Sequence, residues 1–193
     1  MLKFTPSCML ILILGTAAQA QTPAAAPSPA PSAVVPEVKA VAAADVASPE
    51  AIVQAVYSVI SGPKGQLRDW PRFRSLMAPG AILAVTGTPK SGALRTRVLT
   101  VEDFIGGSSK ALQEEAFYEH GVMGATWRYA HIATVASPYE SRRAPGEAPF
   151  QRGINTFQLS SDGTRWWIIS IAWEAETPAF PLPAKDDALL KAK

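Results

Sequence analysis

RGINTFQLSSDGTRWWIISIAWEAE, residues 152–176, decides the fold. Two runs rich in β-branched and aromatic residues flank Asp162-Gly163, the pattern of two strands joined by a tight turn. With Asp162-Gly163 as a two-residue type I′ turn, positions that sum to 325 face each other: Leu159 with Trp166, Phe157 with Ile168, Asn155 with Ser170, Gly153 with Ala172. The opposite face then carries Gln158 with Trp167, Thr156 with Ile169, Ile154 with Ile171, and Arg152 with Trp173. Both faces are apolar enough to need cover, so one is expected to meet helices and the other a neighbouring chain or a loop, with a homodimer through that outer face as the preferred reading. The small residues at 153, 155, 170 and 172 predict room for a pocket beneath the helices.

Upstream of the hairpin, FYEH at 117–120 and WRYAHIATVASPYESR at 127–142 are two further strand candidates, which makes a four-stranded meander. Ahead of these strands the periodicity is helical. In SPEAIVQAVYSVISG, Ser48 is placed to cap, Pro49 suits the first turn, and Ile52, Val53, Val56, Tyr57 and Ile60 fall on one stripe. DWPRFRSLM predicts a second helix with Asp69 as its cap and Pro79-Gly80 as its stop, and AILAVTG with LRTRVLT predicts a short β pair. VEDFIGGSSKALQEEAF predicts a helical turn, a Gly-Gly break and another helix. Helices first and a long meander afterwards is the α+β order.

The first 20 residues have the form of a signal peptide: Lys3, the apolar run from Cys8 to Gly15, then Ala18 and Ala20 around a cleavage site. Export to the periplasm or the extracellular space is the expectation, with no stable membrane insertion after cleavage. Residues 21–47 are Ala-, Pro- and Ser-rich and read as a tether; 48–177 form the domain and 178–193 a Pro-containing tail. Removal of the leader removes Cys8, the only cysteine, and with it disulfides and thiol chemistry. Lys+Arg total 18 against Asp+Glu 16, a near balance that offers nucleic acid no basic footprint. Two histidines without a tight acidic cluster give no recognisable metal-ligand spacing, and no phosphate- or dinucleotide-binding motif is present, so no cofactor is expected.

The order of elements, carried by SPEAIVQAVYSVISG, FYEHGVMGATWRYAHIATVASPYESRR and the opening hairpin, resembles the NTF2-like (SnoaL-like) family, and among its members the exported bacterial ones of unassigned role. The resemblance implies a cone, in which N-terminal helices pack on a strongly curved antiparallel sheet. It also implies one of three roles: a pocket for a small apolar or amphipathic molecule, an isomerase, dehydratase or cyclase with a His or Asp/Glu base, or an interaction module of the cell envelope.

Tyr118-x-His120 and Tyr129-x-His131 each place a Tyr and a His on one face of a strand, so His120 and His131 are candidate bases. The competing reading is that these histidines lie on the outer face or are satisfied in the core. Asp103 is a candidate acid that also suits the first turn of a helix, where a carboxylate meets the helix dipole. Asn155, Ser170 and Glu174 share a face of the hairpin and, with Tyr118 and His120, form the expected pocket; a strand-end ion pair of Glu174 with Arg152 or Arg128 is the alternative. Trp166 reads as core, and Trp167 or Trp173 as interface, cation–π partner or ligand wall.

Overall fold

A computed structural model describes residues 41–89 and 92–192. The leader and most of the tether lie outside the described residues. The last tether residues do not: a short 3-10 helix at Ala43–Val46 docks on the first helix, with Val46 buried and the Asp45 carboxylate accepting from Nε and Nη2 of Arg72 at 2.7 and 2.9 Å. The domain therefore starts earlier than composition implied.

Helix α1 (Pro49–Ile60) begins where Ser48 Oγ accepts from the Ala51 N–H at 3.1 Å, with Pro49 in the first turn. Besides Pro49, seven of its apolar side chains are buried, more than one stripe requires, because α1 packs on the 3-10 helix and the following helix as well as on the sheet. Its C-terminal carbonyls are held by a side chain from the following loop. Arg68 donates to the Ile60 and Gly62 carbonyls at 2.8 and 2.9 Å, cations being favoured at that end of a helix. Helix α2 (Trp70–Leu76) is capped by Asp69, as expected.

Strands β1 (Met77–Gly87) and β2 (Arg95–Thr100) form the predicted pair. Pro79-Gly80 does not stop α2 but lies inside an irregularity of β1 between Met77 and Ile82. Helix α3 (Val101–Glu114) runs unbroken through Gly106-Gly107, so the expected break is absent. Its start is secured by a capping box, in which Asp103 N donates to Thr100 Oγ1 and the Asp103 carboxylate accepts from Thr100 N.

The second strand candidate is in fact a hairpin. β3 (Tyr118–Gly121) precedes β4 (Thr126–Tyr129), and β4 turns at Ala130-His131 into β5 (Ile132–Arg142), with Ala130 in the left-handed region at φ 46°. β6 (Gln151–Ser161) and β7 (Trp166–Ala175) complete a seven-stranded sheet in the order β2-β1-β7-β6-β5-β3, with β4 beside β5. The sheet is mixed, because β1 runs parallel to β7; every other pairing is antiparallel.

The register of the opening hairpin differs from the expectation in two ways. The loop spans Asp162–Arg165, so Ser161 pairs with Trp166. Asp162 explains the extra length: Oδ1 accepts from the Thr164 hydroxyl at 2.6 Å and from the N–H groups of Thr164 and Arg165 at 2.8 and 3.0 Å, and Oδ2 from Trp167 Nε1 at 2.7 Å. Those bonds hold its carboxyl far below the usual range. The second difference is a bulge. Leu159 pairs with Ile168 but Gln158 with Ser170, leaving Ile169 unpaired and half-exposed, level with the irregularity of β1. Beyond it the alternation of β7 inverts, so Ile171 and Trp173 point inward while Ser170, Ala172 and Glu174 point out.

The core lies between the inner face and the helices, around Ile52, Val53, Phe73, Leu76, Leu83, Val135, Phe157 and Ile168. The C-terminal segment is more than a tail. Helix α4 (Ala184–Lys191) returns to the outer face against β5, with Leu190 buried and Asp187 paired to Arg152, a residue that also meets Glu176. Elsewhere the outer face shows Ile82, Val98 and Ile169 to solvent. Among the described residues no helix is long and apolar enough to cross a membrane.

Candidate functional site

Between the inner sheet face, α1, α2 and α3 is a cavity of about 300 Å³. Its walls are apolar and largely aromatic: Phe73, Phe104, Phe117, Tyr139, Phe157 and Trp173, with Val56, Ile60, Leu83 and Ile171 between them. Phe73 stacks on Phe104 at 5.4 Å, and Phe104 meets the Trp173 edge at 6.1 Å, so the three rings make one continuous wall. The mouth lies where lining residues become exposed, at Gly107 and Ala111 of α3 and at Gln151.

At the deep end is a polar cluster assembled from four elements. Glu119 of β3 is only partly buried, but its carboxylate is turned into the cavity wall. Oε1 accepts from Asn155 Nδ2 of β6 at 3.1 Å and Oε2 from Ser141 Oγ of β5 at 3.1 Å. Asn155 gives its other N–H to the Tyr57 hydroxyl of α1 at 3.1 Å; Tyr57 donates to Ser137 Oγ at 2.7 Å, and Ser137 to the Val122 carbonyl at 2.7 Å. The chain of donors thus runs from the cavity towards the backbone. Enclosure by apolar walls pushes the Glu119 carboxyl up to about 7, against the lowering effect of the Asn155 and Ser141 hydrogen bonds. Burial likewise holds the Tyr57 and Tyr139 phenols above their ordinary range, and the neighbouring Glu119 carboxylate adds to the shift of each.

Two glycines make room for these rings. A Cβ on Gly121 would lie 2.2 Å from the Tyr57 ring, and one on Gly153 would lie 2.3 Å from the Glu174 carbonyl and 2.8 Å from Tyr139. Gly121, Tyr139 and Gly153 are register partners across β3, β5 and β6, so the large ring sits between two residues without side chains.

Of the residues expected in the pocket, the structure places Asn155 there. It does not bring the others to it. Tyr118 and His120 alternate with Glu119 along β3 and line an open groove with Gln54, Ser58 and Arg142, a groove that Glu119 and Tyr57 also border but that is distinct from the cavity; His120 is the register partner of Glu140. His131 is in the exposed turn between β4 and β5, at the far end of β5 from His120. Asp103 serves the capping box on the surface, where its bonds with Thr100 lower its carboxyl. Ser170 and Glu174 are carried outward by the bulge, and Glu174 lines an outer groove against the C-terminal segment. Trp173, placed by the expected register on the outer face, is turned inward by the bulge and is a cavity wall, one of the roles open to it. Trp166 is core as read; Arg165 stacks on Trp167 at 3.6 Å and Arg128 on Trp166 at 4.9 Å.

Sequence reasoning missed Glu119, and the signal for it was present. In FYEHG the inward pair is Phe117 and Gly121, and alternation carries Glu119 with them. Among the described residues no group of three or more His, Asp or Glu is arranged to hold a metal ion.

No family model matches the sequence, and no curated protein matches it. Solved structures do match. A protein of unknown function with a cystatin-like fold from Nostoc punctiforme is 13% identical over 68% of this chain and 90% of its own, with a TM-score of 0.51. A candidate calcium/calmodulin-dependent protein kinase type II association domain from Thiobacillus denitrificans is 12% identical over 67% of this chain and 96% of its own, TM-score 0.50. An NTF2-like protein of unknown function from Silicibacter pomeroyi is 15% identical over 65% and 91%, TM-score 0.46. The chain shares the cystatin-like fold of the Nostoc protein. At these identities the likeness concerns the fold and not the activity.

Proposed function

We propose that this domain binds a small apolar or amphipathic molecule in the cavity between the sheet and α1–α3, with Glu119 as the group that meets the ligand's polar end. The observation that carries the reading is the lining of the cavity: about 300 Å³ walled by aromatic and aliphatic side chains around one carboxyl, the usual composition of a small-molecule site. A second reading is favoured by the electrostatics of that carboxyl. A group that titrates near 7 beside a phenol can take and return a proton at neutral pH, so acid–base chemistry on the ligand, with Glu119 as base, is the enzymatic alternative.

The test is a fluorescence titration with prodan, a neutral polarity-sensitive naphthalene, against the protein and its Gly107→Trp variant. Gly107 lines the mouth and nothing lies within 4 Å of a Cβ placed there, so a side chain can be started at this position of α3, and the indole is expected to narrow the mouth. One-site saturable enhancement that the variant weakens at least about tenfold supports the reading. A linear, non-saturating response identical in both proteins refutes it.

A further inference from the structure

Donor and acceptor accounting narrows the ligand class. Both amide hydrogens of Asn155 are directed at Tyr57 and Glu119, Ser141 is directed at Glu119, and the Tyr57 and Ser137 hydroxyls point onward to Val122. What the cluster has left to offer a ligand is acceptor capacity: the remaining lone pairs of the Glu119 carboxylate and Asn155 Oδ1. No Arg, Lys or His is among the described residues that line the cavity, so no cation of the protein balances Glu119 there. The other walls are aromatic faces, the surface that attracts cations. An acceptor-rich end, an unbalanced carboxylate and an aromatic enclosure are together complementary to a donor that carries positive charge.

We infer that the cavity selects a hydrophobic primary or secondary amine, bound as its ammonium, with the N–H groups on Glu119 and the hydrocarbon part against Phe104, Phe157 and Trp173. The inference rests on the small-molecule reading above and adds the ligand's charge and hydrogen-bonding sense. A neutral carbonyl compound is the contrasting case. At this cluster it needs Glu119 protonated, the other donors on the cavity wall being the Tyr139 hydroxyl, Ser108 and Gln151, so what it gains from Glu119 falls as pH rises where the gain of an ammonium climbs. The titratable groups that face Glu119 from the cavity are Tyr57 of α1 and Tyr139 of β5, both held neutral throughout this range by burial, and the open groove that Glu119 also lines carries Tyr118, His120 and Arg142.

Isothermal calorimetry with naphthylmethylamine and its neutral isostere naphthylmethanol separates the outcomes. The amine is expected to bind at least about tenfold more tightly than the alcohol near pH 8, and its affinity to rise about tenfold from about pH 6 to about pH 8 as Glu119 ionises. Glu119→Gln removes the preference and the pH dependence together while the alcohol still binds; if that variant does not fold, the wild-type pH profile decides alone. An alcohol bound as tightly as the amine near pH 8, or an amine affinity that stays flat or falls over that range, overturns the amine inference and leaves the cavity a ligand site. Failure of both probes to bind, with prodan also excluded, overturns the small-molecule reading as well.

Discussion

Replacing Glu119 by Gln should make the protein more stable, and more so the higher the pH. The carboxyl ordinarily titrates at 4.5 and does so at about 7 in the folded chain. Below about 4.5 it is protonated in both states and places no electrostatic burden on folding. Between those values the unfolded chain has released a proton that the folded chain still holds, so stability falls with rising pH by about 1.4 kcal/mol per unit; above 7 both states are ionised and the loss is complete. The 2.5-unit interval gives an upper figure of about 3 kcal/mol, and water reaching the cavity mouth lowers it to about 2. The amide introduced by Glu119→Gln never ionises but can accept from Asn155 and donate to Ser141, so the cluster keeps its shape. Urea denaturation of both proteins from about pH 5 to about pH 8 isolates the effect, because every other group cancels in the difference. A difference constant to within about 0.5 kcal/mol across that range would refute the claim that the Glu119 carboxylate is desolvated in the fold.

Phe157 is fully buried, touches the edge of Tyr57 at 6.2 Å and forms part of the cavity wall, so Phe157→Ala should cost about 3–5 kcal/mol in urea denaturation and enlarge the site. The two glycines should respond differently to a methyl group, each substitution costing about 3 kcal/mol or more. Gly121→Ala collides only with the Tyr57 ring among its nearest neighbours and should be relieved in part by Tyr57→Leu, whereas Gly153→Ala meets the Glu174 backbone carbonyl and should not be rescued by Tyr139→Leu, as double-mutant thermal melts would show.

Local signals carried much of this molecule. Ser48-Pro49 and Asp69 mark helix starts because a side-chain oxygen or a fixed φ acts within one turn of its own position, and both helices begin there. The Gly-Gly pair in α3 misled for a related reason: propensity costs about 1 kcal/mol per glycine, and packing of Phe104 and Ile105 on the core exceeds it. The inward set of β6, namely Gly153, Asn155, Phe157 and Leu159, followed from alternation alone, because no bulge interrupts that strand.

What lay beyond the sequence is the matching of one strand to another. Alternation settles which residues of FYEHG share a face, but only contact with α1 and Tyr139 decides that the face of Glu119 is the inner one and that of Tyr118 and His120 the outer. The same holds for β7. Its apolar run reads equally well in either phase, and the phase changes at Ile169 through a bulge that exists because β1 and β6 pair with β7 on its two sides. That single unpaired residue exchanges Glu174 for Trp173 at the cavity wall. Strand identity, helix caps and the α+β order are local properties, so the sequence by itself determined them. The carboxyl near 7 depends on burial by residues from distant parts of the chain, so only the tertiary structure decided it.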